Sequence, residues 1–362
     1  MALTKQISLR LGLAGMLALA ASLPARADTS GQTATAMPLV RIAPLIEAAA
    51  FGQPNSVAAL LAEKTDLNAT DLDGHSALAL AAAGGHVTIS KMLIEAGAKV
   101  EQANVRAETP LWLAAAQGHT AVVRLLIAKG AVVEHQSAAG LTALAISAQR
   151  CHDGSAAALI KGGAAIMAAP QPGQHLSPLM FAATRCDEKI LGELLVDKNA
   201  AKALMAVRDN LGRTALWLAA DVGNASAVAY LLRSGAQIAD VDNNGETALH
   251  RAISHPEVLS ILLAHGAQVS VVANDGNTPL IRAAALGKAT SIKALLTKGA
   301  SVNHRNRLGQ TALMMAATTD NAEIVDMLLQ AGANRSLRNV RREAARDIAL
   351  QYGHTGIASR LR

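Results

Sequence analysis

Apolar stretches recur along the chain with a period of about 33 residues, and polar stretches separate them. Each period opens with a segment such as TPLW at Thr109, runs into an Ala-rich stretch, and continues to an aliphatic pair such as Leu126-Ile127. Thr can N-cap a helix, Pro suits the first helical turn, and Gly can end a helix in a left-handed conformation. Gly118 and Gly130 stand where such ends are expected. Each period therefore predicts two short helices joined by a loop and followed by a polar turn.

The starting points of these segments define the domain organisation. The segments begin at Ala43, Ser76, Thr109, Thr142, Ser177, Thr214, Thr247, Thr278, Thr311 and a degenerate Ala344. Periods of this length are typical of solenoids, in which each unit packs only on its neighbours. We expect residues 43–362 to form one all-α repeat solenoid of about nine units plus a truncated C-terminal cap that keeps only part of its second helix. Residues 28–42 lack the pattern and are expected to form a flexible lead-in.

The repeated motif resembles that of the ankyrin-repeat family, and the segments at Thr109, Thr278 and Thr311 match it best. The resemblance covers residues 43–362. It implies helix–loop–helix units followed by outward-pointing β-turns, which we call fingers. It also implies protein partners, bound on a concave surface made by the fingers and the first helix of each unit.

Composition and charge narrow the function further. Hydrophobic residues make up 51% of the 362-residue chain and aromatic residues 2%, so the core must be built from small aliphatic side chains. This apolar content excludes a disordered chain. The formal net charge of +6 is concentrated in residues 1–27 and beyond residue 330, and the chain between them is slightly acidic. Nucleic acid is therefore not an expected partner, because it needs a broad basic face.

The first 27 residues have the pattern of a secretory signal peptide. Lys5 and Arg10 precede an apolar run that ends before Pro24, and small residues at Ala25 and Ala27 suit cleavage after Ala27. An uncleaved membrane anchor is the alternative, but spanning takes roughly 20 apolar residues, and the run is shorter. No transmembrane segment is expected elsewhere. We expect a periplasmic protein, with full secretion as the alternative.

The candidate chemical groups do not form a catalytic or metal site. His86, His119 and His152 recur at one position in successive repeats, where stacking separates them by about 8–10 Å. A shared zinc ion needs ligands at about 2.0–2.1 Å, so these residues are interpreted as fixing loops. Cys151 beside His152 lacks a third group that would orient the imidazole. The sequence predicts no enzyme, metal or cofactor.

The two cysteines of the chain, Cys151 and Cys186, occupy the same loop position in adjacent repeats. An oxidising compartment favours a disulfide between them. Regular stacking, however, places such positions about 8–10 Å apart, whereas bridged Cα atoms usually lie about 4.4–6.8 Å apart. Local distortion can close this gap, because the repeats are spaced irregularly here. The sequence leaves both a bridge and two free thiols open.

Two longer fingers indicate where a partner could bind. The finger at 168–176 is longer than usual, and the finger at 197–213 is longer still. Insertions in solenoids often map to the binding face, and drift in a tolerant loop is the alternative. The predicted partner-binding residues are Gln149, Arg150, Gln171, His175, Thr184, Arg185, Asp197, Lys198, Arg208, Asp209, Trp217 and Asp221. Trp112 and Trp217 share one position in their repeats, where an aromatic residue can pack between repeats or anchor an interface.

The sequence thus predicts a monomeric, non-catalytic scaffold for protein–protein interaction in the periplasm. One alternative is an accessory factor for a periplasmic redox or stress-defence enzyme, with Cys151 and Cys186 as a thiol switch. Another is a secreted effector. Beyond residue 330 the chain is rich in Arg, which suits the polar outer face of a cap or contact with an acidic partner or anionic lipid. The Arg residues in question are Arg335, Arg338, Arg341, Arg342 and Arg346.

Overall fold

The computed structural model describes residues 43–166 and 176–362. In these residues the chain forms 21 α-helices, which follow one another as helix–loop–helix pairs with one additional helix. The predicted leader at 1–27 and lead-in at 28–42 lie outside the described residues, so both stay predictions. Among the described helices, none has the length and apolar character that crossing a bilayer requires.

The helices fall into two sets according to their place in the repeat. The first helices are α1 Pro44–Ala50, α3 Ala77–Ala83, α5 Pro110–Gln117, α7 Ala143–Gln149, α9 Pro178–Arg185, α12 Ala215–Val222, α14 Ala248–Arg251, α16 Pro279–Ala285, α18 Ala312–Ala316 and α20 Ala345–Gln351. The second helices are α2 Pro54–Ala62, α4 Val87–Glu95, α6 Thr120–Ala128, α8 Asp153–Lys161, α10 Glu188–Leu194, α13 Ala225–Arg233, α15 Pro256–Ala264, α17 Ala289–Thr297, α19 Ala322–Gln330 and α21 Thr355–Arg360. The additional helix is α11 Lys198–Met205, and a 3₁₀ turn at Ala252–Ser254 follows α14.

Each helix type packs on the same type in the neighbouring repeat. First helices contact first helices, as α5 does with α3 and α7, and second helices contact second helices. The Leu of the opening motif and the Ala pair after it face inward: Leu111, Ala114 and Ala115 are at most 2% exposed. Small side chains let neighbouring helices approach closely. The described residues therefore form the predicted all-α solenoid around one apolar core.

Local sequence signals set the helix ends as expected. The Thr109 hydroxyl accepts a hydrogen bond from the backbone N–H of Trp112 at 3.2 Å and so caps α5. Pro110 occupies the first helical turn, where its missing N–H leaves no hydrogen bond unmade. Gly118 ends the helix with φ of 76°, a left-handed conformation that favours glycine.

The fingers are tight turns held by their own side chains. In the finger at 242–246, the Asp242 carboxylate accepts hydrogen bonds from the N–H groups of Asn244 and Glu246 at 2.9 and 2.8 Å. Adjacent fingers are joined by a backbone hydrogen bond, such as that from the Asn243 N–H to the Leu211 carbonyl at 2.9 Å. Equivalent bonds connect the described fingers before and after residues 167–175. The earlier fingers are 71–75, 104–108 and 137–141, and the later ones are 209–213, 242–246, 273–277, 306–310 and 339–343.

Residues 150–166 and 176–224, which we call the junction, contain departures from the repeat pattern. The finger at 197–213, which the sequence showed only to be longer than usual, contains helix α11. Asp197 caps this helix by accepting from the N–H of Asn199 at 2.9 Å. Leu204 and Met205 anchor it through burial in the core. The inserted residues thus add a packed helix to the finger.

The C-terminal unit also differs from expectation. We predicted only a Gly353-His354 loop and part of a second helix. The second helix α21 is limited to six residues, but the first helix α20 also forms. The His354 imidazole reaches the Thr318 carbonyl of the preceding repeat at 3.2 Å. Ile348 and Ile357 are buried. The terminal unit therefore retains the inward apolar contacts of a full repeat.

Candidate partner-binding surface

Ten of the twelve predicted partner-binding residues lie in the described part of the chain, on or next to the junction. Gln171 and His175 lie outside the described residues. The ten occupy the ends of α7, α9 and α12 and the finger at 197–213. Those with exposed side chains are Arg150, Arg185, Asp197, Lys198 and Arg208, those half-buried are Gln149, Thr184 and Asp221, and those buried are Asp209 and Trp217.

The exposed end of α9 carries the least constrained of these side chains. Among the described residues, Arg185 has no hydrogen-bond or ion-pair partner. Thr184 next to it donates its hydroxyl to the Phe181 carbonyl of its own helix at 2.8 Å. One repeat earlier, the Arg150 guanidinium donates to the Ala116 carbonyl at 2.9 Å and remains exposed. Two cations are thus presented at equivalent loops of neighbouring repeats.

Arg208 connects two fingers. Its guanidinium donates to the Gly212 carbonyl at 2.9 Å and the Val241 carbonyl at 2.6 Å, and it pairs with Asp240 at 2.7 Å. The contacts to Val241 and Asp240 cross to the next repeat. Arg208 therefore holds the end of the longer finger in place.

Asp209 is engaged inside its own finger. One carboxylate oxygen accepts from the N–H groups of Leu211 and Arg213 at 3.0 and 2.8 Å, and the other accepts from the Arg213 guanidinium at 2.7 Å. The Asp209 side chain has no exposed surface. A buried carboxylate with these partners braces the turn and offers little to a ligand.

Trp217 packs between repeats and is 5% exposed. Its indole N–H donates to the Glu246 carbonyl at 3.1 Å, and the Arg213 and Arg251 guanidiniums lie 5.5 and 5.0 Å from its ring centroid. Trp112 makes the corresponding bond to the Leu141 carbonyl at 2.9 Å. Of the two interpretations left open by the sequence, this geometry favours packing between repeats.

His250 occupies the position of these tryptophans in its repeat and is completely buried. Its Nδ1 accepts from the Thr247 N–H at 3.2 Å, and its Nε2 lies 3.4 Å from the Asn277 carbonyl. Burial lowers the pKa of His250, and the hydrogen bond to Asn277 partly opposes this shift. A neutral imidazole therefore connects the two repeats.

An ion-pair network that the sequence reasoning missed adjoins Trp217. The Arg251 guanidinium lies 2.6 Å from the Asp221 carboxylate and 3.3 Å from Glu246, and Arg282 pairs with the other oxygen of Glu246. Burial lowers the pKa of Arg282, while the charge of Asp221 opposes this shift. The sequence did contain a signal for this network, because Arg251 and Arg282 occupy the same position in successive repeats. Asp221, predicted as a partner contact, is thus already paired.

The loop histidines form a regular contact between repeats, which we call the His–Gly interlock. His119 reaches the Ala83 carbonyl at 3.0 Å, and His152 reaches the Ala116 carbonyl at 3.2 Å. Each ring also lies over a Gly of the preceding repeat. A Cβ atom added to Gly118 would lie 2.6 Å from Nδ1 of His152, and one added to Gly85 would lie 2.5 Å from Nδ1 of His119. The Gly is therefore required by the next repeat as well as by its own positive φ.

The interlock is replaced at the junction. Cys151 stands at the Gly position with φ of 61°, and Asp187 stands at the His position of the next repeat. The structure joins Cys151 to Cys186 in a disulfide with Cα atoms 5.3 Å apart. The expected separation of about 8–10 Å between such positions does not hold here. The backbone is left-handed at Cys151 and extended at Cys186, after the end of α9, and this brings the two residues closer together. Cys151 is exposed, whereas Cys186 is 3% exposed.

One group of potential metal ligands occurs in the described residues, at the first finger. Asp71, Asp73 and His75 bring their ligand atoms within 4.8 Å of one another. The His75 Nδ1 lies 3.1 Å from Asp71, and its Nε2 lies 3.0 Å from the side-chain amide of Asn104. Both ring nitrogens of His75 are therefore engaged within the fingers. We interpret the three residues as part of a finger turn and not as a metal site.

A helical-repeat solenoid with braced fingers and exposed loop ends is the architecture of a repeat protein that presents an extended surface. The chain belongs to the ankyrin-repeat family. The family model described as ankyrin repeats (3 copies) matches residues 45–137, 96–169, 151–242, 179–273, 222–306, 254–339 and 280–361. No curated protein was found that matches the chain. Ankyrin repeats generally mediate protein–protein interaction, and the family is typically non-catalytic.

Proposed function

We propose that this protein is a non-catalytic scaffold that binds a protein partner at the junction, on the surface formed by the fingers and the ends of the first helices. The observation that carries the proposal is that Arg150, Arg185 and Lys198 are exposed on the segment that contains the disulfide and the inserted helix α11. Family membership supports a protein as the partner.

Some of the predicted site residues are proposed to contact the partner, and others stabilise the surface on which it binds. Arg150, Arg185 and Lys198, with the flanking Gln149 and Thr184, are proposed as contacts. Gln171 and His175 remain proposed contacts on the sequence argument alone. Arg208, Asp209, Trp217 and Asp221 are bound to other residues of the fold and hold the surface in shape.

The proposal is tested by crosslinking in intact cells, with the captured protein identified from the wild-type chain. The test variant is Arg150→Glu/Arg185→Glu/Lys198→Glu. The matched control, Arg124→Glu/Lys293→Glu/Lys298→Glu, makes the same charge change at exposed positions on or just after second helices outside the junction. We expect the control to capture the partner and the test variant to capture at least about tenfold less. Equal capture by both variants contradicts the site.

We also propose the periplasm as the place of action, on the leader pattern at 1–27. Fractionation of the producing cells should recover the chain, cleaved after Ala27, in the periplasmic fraction. Recovery in the medium supports the secreted-effector alternative. Recovery of the uncleaved chain from the cytosol contradicts both.

A second candidate function is an accessory role in which binding responds to oxidation. It is favoured by the Cys151–Cys186 disulfide, because the bond lies in the junction and Cys151 is exposed to reductants. Partner capture should then differ at least about tenfold between the oxidised and reduced protein. Equal capture in both states leaves the plain scaffold as the function.

A further inference from the structure

We propose that the last two fingers bind an acidic protein segment that carries aliphatic residues. The site consists of Arg307, Leu308, Val340, Arg341 and Arg342, which we call the C-terminal fingertip patch. The patch lies four to five repeats C-terminal to the start of the junction. Binding at the patch does not depend on the partner proposed at the junction.

The two fingers are fixed against each other. The Val340 N–H donates to the Leu308 carbonyl at 3.0 Å, so the tips are adjacent. The Arg305 guanidinium bridges from the Gly309 carbonyl at 3.3 Å to the Arg338 carbonyl at 2.8 Å. The patch is therefore presented on a braced turn pair, which lowers the entropic cost of binding.

The C-terminal region contains arginine but no lysine. Residues 299–362 contain nine Arg and no Lys. Some are already engaged, as Arg338 is with Asp347 and Arg360 with Asp326. Among the described residues, the exposed guanidiniums of Arg307, Arg341 and Arg342 have no ion-pair partner. A guanidinium matches a carboxylate in a bidentate geometry that an ammonium cannot provide, so this composition favours carboxylate recognition.

Exposed aliphatic side chains lie between these cations. Leu308 is 56% exposed and Val340 65% exposed, on the tips that the Arg residues flank. Aliphatic residues on the partner would cover them while Asp or Glu pairs with the guanidiniums. Nucleic acid fits less well, because the patch has no aromatic residue for stacking and Glu343 and Asp347 interrupt its charge. A membrane surface fits less well because two aliphatic side chains give little insertion.

The backbone at Arg342 allows its side chain to be tested separately from the turn. Its φ is 65°, a left-handed conformation that Gly245, Gly276 and Gly309 adopt at the same point of earlier fingers. Ala107 also adopts a positive φ, of 55°, at this point of the finger at 104–108. A residue with a Cβ atom is disfavoured there, so glycine in place of Arg342 removes the side chain without straining the turn.

The test uses the full chain and synthetic peptides. One peptide alternates Leu with Asp and Glu, and a second replaces every Leu with Ser. The test variant is Arg341→Glu/Arg342→Glu, and Arg124→Glu/Lys161→Glu is the matched control. We expect the Leu peptide to bind the wild type and the control, and the test variant at least about tenfold more weakly. The Ser peptide should bind several-fold more weakly than the Leu peptide.

Arg342→Gly separates binding from folding. Because glycine accepts the positive φ, this variant should unfold at a denaturant concentration no lower than the wild type, yet bind the Leu peptide about fivefold more weakly. The proposal is overturned by equal binding to the test and control variants, by equal binding of the two peptides, or by no binding of either. It is also overturned if vesicles of anionic lipid or a single-stranded oligonucleotide bind more tightly than the Leu peptide.

Discussion

The regular repeats and the junction differ in the contact that joins the loops of neighbouring repeats. In the regular repeats, an imidazole packs over a Gly of the preceding repeat and bonds a backbone carbonyl, as His119 does with Gly85 and Ala83. Within the junction, Asp187 stands at the His position, and Cys151 is bonded covalently to Cys186. The residues at positions 151 and 187 differ from the regular repeats together. The Cys151 side chain has room because Asp187 stands where a His would otherwise lie over it.

The regular pattern returns stepwise at the end of the junction. Asn224 stands at the His position of its repeat and donates its amide to the Ala183 and Cys186 carbonyls at 3.1 and 2.9 Å. One repeat later, His255 lies over Gly223 and bonds the Asp221 carbonyl at 3.0 Å. The solenoid therefore tolerates a changed contact between these repeats, where the disulfide joins the two loops.

Removal of the disulfide is expected to have the largest effect on stability. Cys151→Ser/Cys186→Ser opens a loop with a sequence separation of 35 residues, and chain entropy predicts a loss of about 3–4 kcal/mol in the free energy of unfolding. Denaturant titration under oxidising conditions measures this loss. As a control, a reductant should destabilise the wild type and leave the serine variant unchanged. Two alkylated thiols in unreduced wild-type protein would contradict the bond itself.

A smaller effect is expected when the interlock is disturbed in the regular repeats. Gly118→Ala places a Cβ atom 2.6 Å from His152 at a positive φ, so we expect a loss of about 2–4 kcal/mol. Gly130→Ala is the matched control, because Gly130 also has a positive φ but has no atom within 4 Å of its added Cβ. It should cost about 1–2 kcal/mol. Equal losses in thermal or denaturant unfolding would show that the imidazole does not constrain this position.

The smallest expected effect is a pH dependence from the half-buried His152 and the buried His250. Burial lowers the pKa of both His152 and His250 below the ordinary value of 6.5 in the folded state. Their stabilisation is therefore complete above pH 6.5 and declines as the pH falls through the lower folded-state pKa values. The free energy of unfolding, measured from pH 7 to pH 5, should decrease. His250→Gln should make this decrease shallower, and an unchanged slope would argue against a contribution from His250.

The fold was largely predictable because its signals are local and repeated. Thr or Ser caps, Pro in the first turn and Gly at the ends placed the helices, as in α5 with Thr109, Pro110 and Gly118. Helix α11 was missed because an eight-residue segment inside a finger shows no second copy for comparison. The spacing of the repeats revealed that residues were inserted there, but it carried no information on their conformation.

The candidate site was less predictable, because residue type does not reveal how a side chain is used. Asp209 and Arg208 are charged and were predicted to contact a partner, yet Asp209 braces its own finger and Arg208 ties that finger to the next. Trp217 was predicted as an interface anchor, with packing between repeats as the alternative, and its indole is used between repeats. The position of Cys151 opposite Cys186 depended on a local backbone change that an average helix spacing cannot describe.

Restoring the regular loop tests most directly whether the disulfide takes the place of the His–Gly interlock. The variant Cys151→Gly/Cys186→Gly/Asp187→His recreates the loop residues of the regular repeats at the junction. We predict that it regains at least about half of the unfolding free energy lost in Cys151→Ser/Cys186→Ser. Its denaturation midpoint should also be the same with and without reductant. A restored loop that is no more stable than the serine variant would contradict the replacement.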